Sequence, residues 1–190
     1  MAWWKFGKRQ REIVTADWMG EKLAEMFDPT DLLPLVRGWH NAPTADPKPF
    51  LALASLRLLG FYLGATQESV RTRIDAKVMQ KIQLIFCGEM IMRYVQSQES
   101  ESKPDTLLTM LLDLNKKMTE AFYANRNADP KTGLHPVWYA GKEACSFLQG
   151  DTAASNPEDV RILAEYLHNT IIGTKDLFDN LLKANVAFVQ

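Results

Sequence analysis

The sequence predicts an all-α fold, a single-domain bundle of six or seven helices. Apolar residues recur at three- and four-residue spacing along most of the chain, and strand-like alternation is nearly absent. Several apolar stretches start with proline, which the first turn of a helix accepts because its N–H groups have no intrahelical partner. With 190 residues, 46% of them apolar and 24% charged, the chain can build one sizeable core. We therefore assign residues 15–190 to one helical domain and residues 1–14 to a basic and aromatic N-terminal tail.

The beginning of the domain is expected to hold three helices and one irregular loop. The first helix covers about residues 15–27, and the pair Asp28 and Pro29 starts a short second one. Three prolines within residues 38–49 predict a loop that crosses the surface. The apolar residues within 51–63 cover nearly the whole circumference of a helix, which is typical of a central buried element.

A long helix is predicted to begin after Thr66. Its first half carries an apolar stripe at four-residue spacing, made of Val70, Ile74, Val78 and Ile82. A parallel basic stripe, which we interpret as the solvated side, consists of Arg73, Lys77 and Lys81. Residues 84–92 in the second half are apolar on most sides, so we expect them to lie deeper in the core.

Three further helices complete the predicted bundle. Apolar residues at three- and four-residue steps mark the first of them, between Leu107 and Ala121. A turn region then precedes a shorter helix over residues 137–148. Asn156 and Pro157 start the last helix, because the asparagine side chain can cap it and the proline suits its first turn.

Charge and cysteine content predict a soluble cytoplasmic protein. The formal net charge is −1 and the sequence pI is about 6.3, so we expect no long-range attraction of nucleic acid. Cys87 and Cys145 lie in predicted helices beside apolar neighbours, as is typical of a reducing compartment. The first residues turn polar at once, unlike a secretory signal. The longest apolar stretch, residues 50–65, contains Arg57 and falls short of the roughly 20 residues of a membrane span, so no transmembrane segment is predicted.

The N-terminal tail has the least ordinary composition in the chain and is the candidate partner-binding segment. It places aromatic residues beside bases, and the candidate contact residues are Trp3, Trp4, Phe6, Lys8 and Arg9. This pattern suits a groove on a partner protein, and it also suits peripheral contact with lipid headgroups. Packing of the tail against its own bundle explains the aromatic residues equally well.

The segment between Asn125 and Cys145 is the candidate ligand site. It gathers the densest set of polar and aromatic side chains in the chain, and the candidate ligand-binding residues are Arg126, His135, Trp138 and Tyr139, with Asp129 and Glu143 nearby. Turn-rich segments carry function more often than helix interiors. Cys145 and His135 alone, however, define no nucleophilic site.

No metal, cofactor or catalytic group is predicted. Glu165 and His168 have the Glu-x-x-His spacing of di-iron bundles, but the second such pair that those sites need is missing from the sequence. We interpret Cys87 as a buried packing residue, whereas Cys145 is expected to react sooner because a turn region lies near it. Glycine-rich phosphate loops, nucleophile elbows and Cys-x-x-Cys pairs do not occur.

The sequence therefore predicts a non-enzymatic protein-binding module: an adaptor, a chaperone-like factor or a subunit of a larger assembly. Its partner would be another protein or a second copy of the chain. The alternative is a small-molecule-binding or enzymatic helical domain that uses the Asn125–Cys145 segment. An exposed apolar patch would favour the first reading, and a pocket lined by His135 and Arg126 would favour the second.

Overall fold

The computed structural model describes residues 12–26, 46–98, 103–127, 135–150 and 156–190, and 82% of these residues are helical. This confirms the predicted all-α bundle. The helices are α1 (Ala16–Met26), α2 (Lys48–Ala65), α3 (Glu68–Arg71), α4 (Ala76–Gln98), α5 (Pro104–Ala124), α6 (Pro136–Gln149) and α7 (Pro157–Lys183). Two short strands, β1 (Ile13–Thr15) and β2 (Ala187–Val189), pair in parallel. The short helix predicted after Asp28 and the proline-rich loop as far as residue 45 lie outside the described residues.

Helix α2 forms the centre of the bundle and contacts α4, α5, α6 and α7. It is buried along nearly its whole length, as its all-round apolar sequence predicts. Beyond Lys48 in its first turn, its one charged residue is Arg57, whose guanidinium lies 3.5 Å from the Thr170 hydroxyl of α7. The core is therefore arranged as helices packed around one apolar helix.

Small residues bring the backbones of α2, α6 and α7 close together. A Cβ atom added to Gly60 would lie 2.4 Å from Cγ2 of Thr170, and one added to Gly64 would lie 2.7 Å from the carbonyl oxygen of Ile171. In α6, a Cβ atom at Gly141 would lie 3.0 Å from the Ala164 nitrogen of α7. Glycine suits these positions because an added side chain would press on Thr170 at Gly60 and on the backbone of α7 at Gly64 and Gly141.

Helices α1 and α4 form a parallel pair at one side of the bundle. A Cβ atom at Gly20 would lie 2.7 Å from Cβ of Ile85, and Nζ of Lys81 lies 2.7 Å from Oδ2 of Asp17. On its inner side α4 meets α2 through the rings of Phe50 and Tyr94, which stack with centroids 4.0 Å apart. One flank of α4 is thus covered by α1 and its inner side by α2.

The prediction of one long helix after Thr66 is wrong in one respect. The segment forms two helices, the short α3 and the long α4. A turn over residues 72–75 separates α3 from α4, and the Asp75 carboxylate accepts the N–H of Lys77 at 2.8 Å, which caps α4. The predicted apolar stripe is nevertheless buried on both sides of the break, at Val70, Ile74, Val78 and Ile82. The expectation that residues 84–92 all lie deep is also wrong, since Leu84 is 70% exposed and Met92 44% exposed.

The two ends of the described fold meet in the β1–β2 pair. Val14 lies opposite Phe188, and the N–H of Ala187 donates to the carbonyl oxygen of Glu12 at 2.8 Å. Val14 is buried, and Phe188 packs against Phe178 of α7 with ring centroids 5.6 Å apart. Residues 12–14, which the sequence assigned to the tail, therefore contribute to the folded domain.

Candidate functional site

The structure does not place the predicted partner-binding tail. Its contact residues lie outside the described part of the chain: Trp3, Trp4, Phe6, Lys8 and Arg9. Their role stays a prediction from the sequence.

The predicted ligand-binding residues are spread over the end of α5 and the start of α6. Arg126 is exposed just after α5, and His135 precedes α6, where its Nδ1 accepts the N–H of Val137 at 3.4 Å. Trp138 is half-buried and packs against the core, and Tyr139 is half-buried as well. Residues 128–134, including Asp129, are not described. The four candidates thus have different surroundings, and two of them serve the helix start or the core.

His135 lies near a side chain of a distant helix, whereas Arg126 lies near Tyr123 at the end of α5. Partial burial raises the pKa of Tyr123, the neighbouring Tyr62 hydroxyl of α2 raises it further, and Arg126 opposes the shift. The ring of His135 lies perpendicular to that of His168 in α7, with centroids 6.5 Å apart. Tyr62 and Tyr123 were not predicted, because nothing in the local sequence shows that α2 and α5 end side by side.

Glu165 and His168 are not joined by further metal ligands among the described residues. The Glu165 carboxylate forms an ion pair with Arg161 on its own helix. Over the described ranges, no group of three or more His, Cys, Asp or Glu side chains converges. The ion pair accounts for the position of Glu165 without a metal.

Both cysteines are buried, which corrects the prediction for Cys145. Burial raises the pKa of the Cys87 thiol to about 11 from its usual value of 9.0, so this thiol is a poor nucleophile at neutral pH. Cys145 is 0% exposed, because α6 packs closely on α7 through Gly141. The proximity of a turn in the sequence therefore does not make Cys145 accessible.

The outer side of α4 carries an exposed apolar surface that the sequence analysis missed. Leu84, Gly88 and Met92 lie at four-residue intervals and so share one side of the helix, which we call the Gly88 face. Leu84 and Met92 are substantially exposed. A Cβ atom built on Gly88 meets no neighbouring atom within 4 Å. The sequence does contain a signal for this surface, namely a glycine in mid-helix with apolar residues four positions before and after it.

Gly88 has no packing role comparable to that of the glycines in α1, α2 and α6. Glycine in a helix interior destabilises by about 0.5–1 kcal/mol relative to alanine. At Gly20, Gly60, Gly64 and Gly141 that cost accompanies close helix packing, whereas at Gly88 no such contact exists within the described fold. The Gly88 face can therefore accept the close approach of a backbone from outside.

The ligand segment also contributes Glu143 to a cleft of about 250 Å³ between α5, α6 and the start of α2. The cleft is lined by Lys48, Leu114, Lys117, Glu143, Ser146, Phe147 and Gly150. Neither Arg126 nor His135 lines it, so it is not the pocket that the alternative reading of the sequence required.

Comparison of the chain with protein-family profiles, with curated proteins and with solved structures gives no significant match. None of the described helices combines the length and the hydropathy that crossing a membrane requires.

Proposed function

We propose that this chain is a non-enzymatic protein-binding module that docks an apolar, acidic helix of another polypeptide on the Gly88 face. The observation that supports the proposal is the open glycine between two exposed apolar side chains. Large apolar side chains on a monomer surface cost free energy in water, and their grouping is typical of interaction sites.

The spacing of the Gly88 face suits a helix better than an extended peptide. A helix presents its own side chains at three- and four-residue steps, so they can fit beside Leu84 and Met92. The missing side chain at Gly88 lets the two helix axes come close at the point between them. This shape suits the packing of a partner helix against α4.

The charge of α4 indicates the sign of the partner. Among the basic residues of α4, Lys81 pairs with Asp17 and Arg93 pairs with Glu25 and Glu89, so Lys77 is the one without an ion pair in the described part of the chain. Lys77 lies seven residues before Leu84, on the same side of the helix, and is exposed near the positive end of the helix dipole. An acidic residue at one end of the partner helix would pair with Lys77, and the basic residues of the tail, Lys8 and Arg9, would favour the same kind of partner.

Site-specific photo-crosslinking tests this proposal in extracts of the native cell. The full chain carries the crosslinker in place of Leu84, and a matched protein carries it in place of Leu112, which is also exposed but lies on α5. We expect position 84 to crosslink to an apolar, acidic helical peptide of another protein and position 112 not to do so. Crosslinks to a second copy of the chain would contradict a different protein as the partner and would show self-association instead. Equal crosslinking at both positions would refute docking on this face.

Gly88→Ala separates binding from folding. It should raise the free energy of unfolding by about 0.5–1 kcal/mol, because alanine is the better helix former, and it should reduce crosslinking from position 84 because the added methyl keeps the partner helix away. Gly173→Ala on α7 is the control: Gly173 also has open space around it, so stability should rise with crosslinking unchanged. Destabilisation by Gly88→Ala would show that Gly88 serves the fold of the chain itself.

A further inference from the structure

Met92 carries the chemically reactive group of the Gly88 face. The face consists of Leu84, Gly88 and Met92, and of these residues only Met92 carries a group, the thioether, that mild oxidants attack. Met92 is 44% exposed, so solvent and the small oxidants dissolved in it reach this side chain. Oxidation at this position would therefore alter the surface that we propose for docking.

The other methionines that the structure describes differ from Met92 in exposure or in position. Met90, two residues earlier on the same helix, is 1% exposed and belongs to the core, and Met19 and Met118 are buried as well. Met26 is 62% exposed, but it ends helix α1. Two half-buried methionines pack against the core: Met79 and Met110. Met92 is thus the exposed methionine of the Gly88 face, and Met26 and Met90 provide comparisons outside it.

The thiols of the chain compete poorly for the same oxidant. Susceptibility of a cysteine to oxidation follows its exposure and the fraction present as thiolate. Cys87 and Cys145 are both buried, and burial raises the pKa of the Cys87 thiol to about 11, so little thiolate forms at neutral pH. An oxidant in solution should therefore react with exposed methionine before it reacts with either cysteine.

We propose that Met92 is a site of reversible oxidation that weakens docking on the Gly88 face, an inference that rests on the proposed function. The oxidant is a peroxide. The thioether sulfur attacks one peroxide oxygen, an S–O bond forms and the O–O bond breaks. The proton of the attacked oxygen passes to the other oxygen, which leaves as water or an alcohol, so the sulfur is oxidised by two electrons and the peroxide is reduced by two.

The sulfoxide changes docking because its oxygen is strongly polar. Burying that oxygen against an apolar helix without a hydrogen-bond donor costs free energy. In the chain alone the Met92 side chain stays exposed, so the sulfoxide remains solvated and the fold is retained. Oxidation should therefore separate loss of docking from loss of stability.

Peptide mapping by mass spectrometry locates the oxidation in the full chain treated with hydrogen peroxide. Met92 and Met26 should be converted to the sulfoxide roughly tenfold faster than Met90 and Met118, because exposure controls the reaction. The melting temperature should not change while only the exposed methionines are oxidised. Oxidation of Met92 as slow as that of Met90 would overturn the proposal, because it would show that this side chain is covered in the native protein.

Photo-crosslinking from position 84 measures the effect on docking. After the peroxide has been removed, the oxidised protein should crosslink to the partner roughly tenfold less than the untreated protein, and methionine sulfoxide reductase should restore the yield. Met92→Leu should crosslink equally before and after peroxide, because leucine is not oxidised. Met26→Leu is the matched control and should stay sensitive to peroxide.

The outcomes distinguish this inference from the proposed function. If the untreated protein gives no partner crosslink from position 84, docking itself is refuted, and with it the effect of Met92. If the untreated protein crosslinks and the protein with Met92 sulfoxide crosslinks equally well, the proposed function stands and the role of Met92 is refuted. Loss of crosslinking by Met92→Leu after peroxide would assign the sensitivity to another residue and would also refute it.

Discussion

The interface between α2 and α7 and the outer side of α4 use glycine in opposite surroundings. At Gly60 and Gly64 an added Cβ atom would collide with α7, whereas at Gly88 it would meet open space. Apolar neighbours differ in the same way, since Leu56, four residues before Gly60, is fully buried, whereas Leu84, four residues before Gly88, is 70% exposed. The same sequence pattern of leucine and glycine four residues apart can therefore serve the core of one chain or a surface open to another.

The largest expected difference between these regions concerns leucine. Leu167→Ala should lower the free energy of unfolding by about 2–5 kcal/mol, because it leaves a cavity at the α2–α7 interface. Leu84→Ala should change it by less than about 0.5 kcal/mol. Chemical denaturation of both variants measures the contrast, and similar losses would mean that Leu84 is covered in the native protein.

The glycines should give a smaller difference of opposite sign. Gly64→Ala should destabilise by about 1–3 kcal/mol, because its methyl group would press on the backbone of α7 near Ile171 and Lys175. Gly88→Ala, measured by the same denaturation, should be stabilising. If Gly64→Ala is neutral, α2 and α7 can move apart at little cost, and the close packing does not explain the glycine.

The smallest expected effect is a difference in thiol reactivity between the buried and the exposed side of α4. It does not depend on a change in stability. Cys87 and Cys145 are both buried, so the native protein should react slowly with a thiol reagent at neutral pH. Gly88→Cys places a thiol one residue along, on the exposed side, and should add one rapidly reacting group. Rapid labelling of the wild-type chain would contradict the burial of both cysteines.

The sequence predicts the helices better than their breaks and strands. The apolar circumference of α2 shows from composition alone that it is buried, and the Asn156 cap marks the start of α7, where its side chain accepts the N–H of Glu158. The break between α3 and α4 is hidden, because the four-residue spacing of the apolar stripe continues across it. Asp75 was the one local signal. Strands of three residues, such as Ile13–Thr15, are too short for alternation to show.

The candidate sites were harder to predict because exposure depends on which helices pack together. Leu84 sits in an apolar stretch and was interpreted as core, but α1 covers only one flank of α4. The sequence predicts that Cys145 reacts sooner than Cys87 because a turn region lies near it, but Cys145 is fully buried where α6 packs on α7. Lys48, Lys117 and Glu143 are brought to one cleft from three helices, and no spacing in the sequence relates them.

The pairing of β1 with β2 makes each end of the described fold a support for the other. Chain ends ordinarily fray at little cost because few contacts hold them. Here separation of β1 breaks its hydrogen bonds to β2, so the pairing couples the burial of Val14 to the position of Phe188. Deleting residues 187–189 would consequently remove the strand partner of Thr15, which lies 174 positions before Val189 in the sequence but adjacent to it in space.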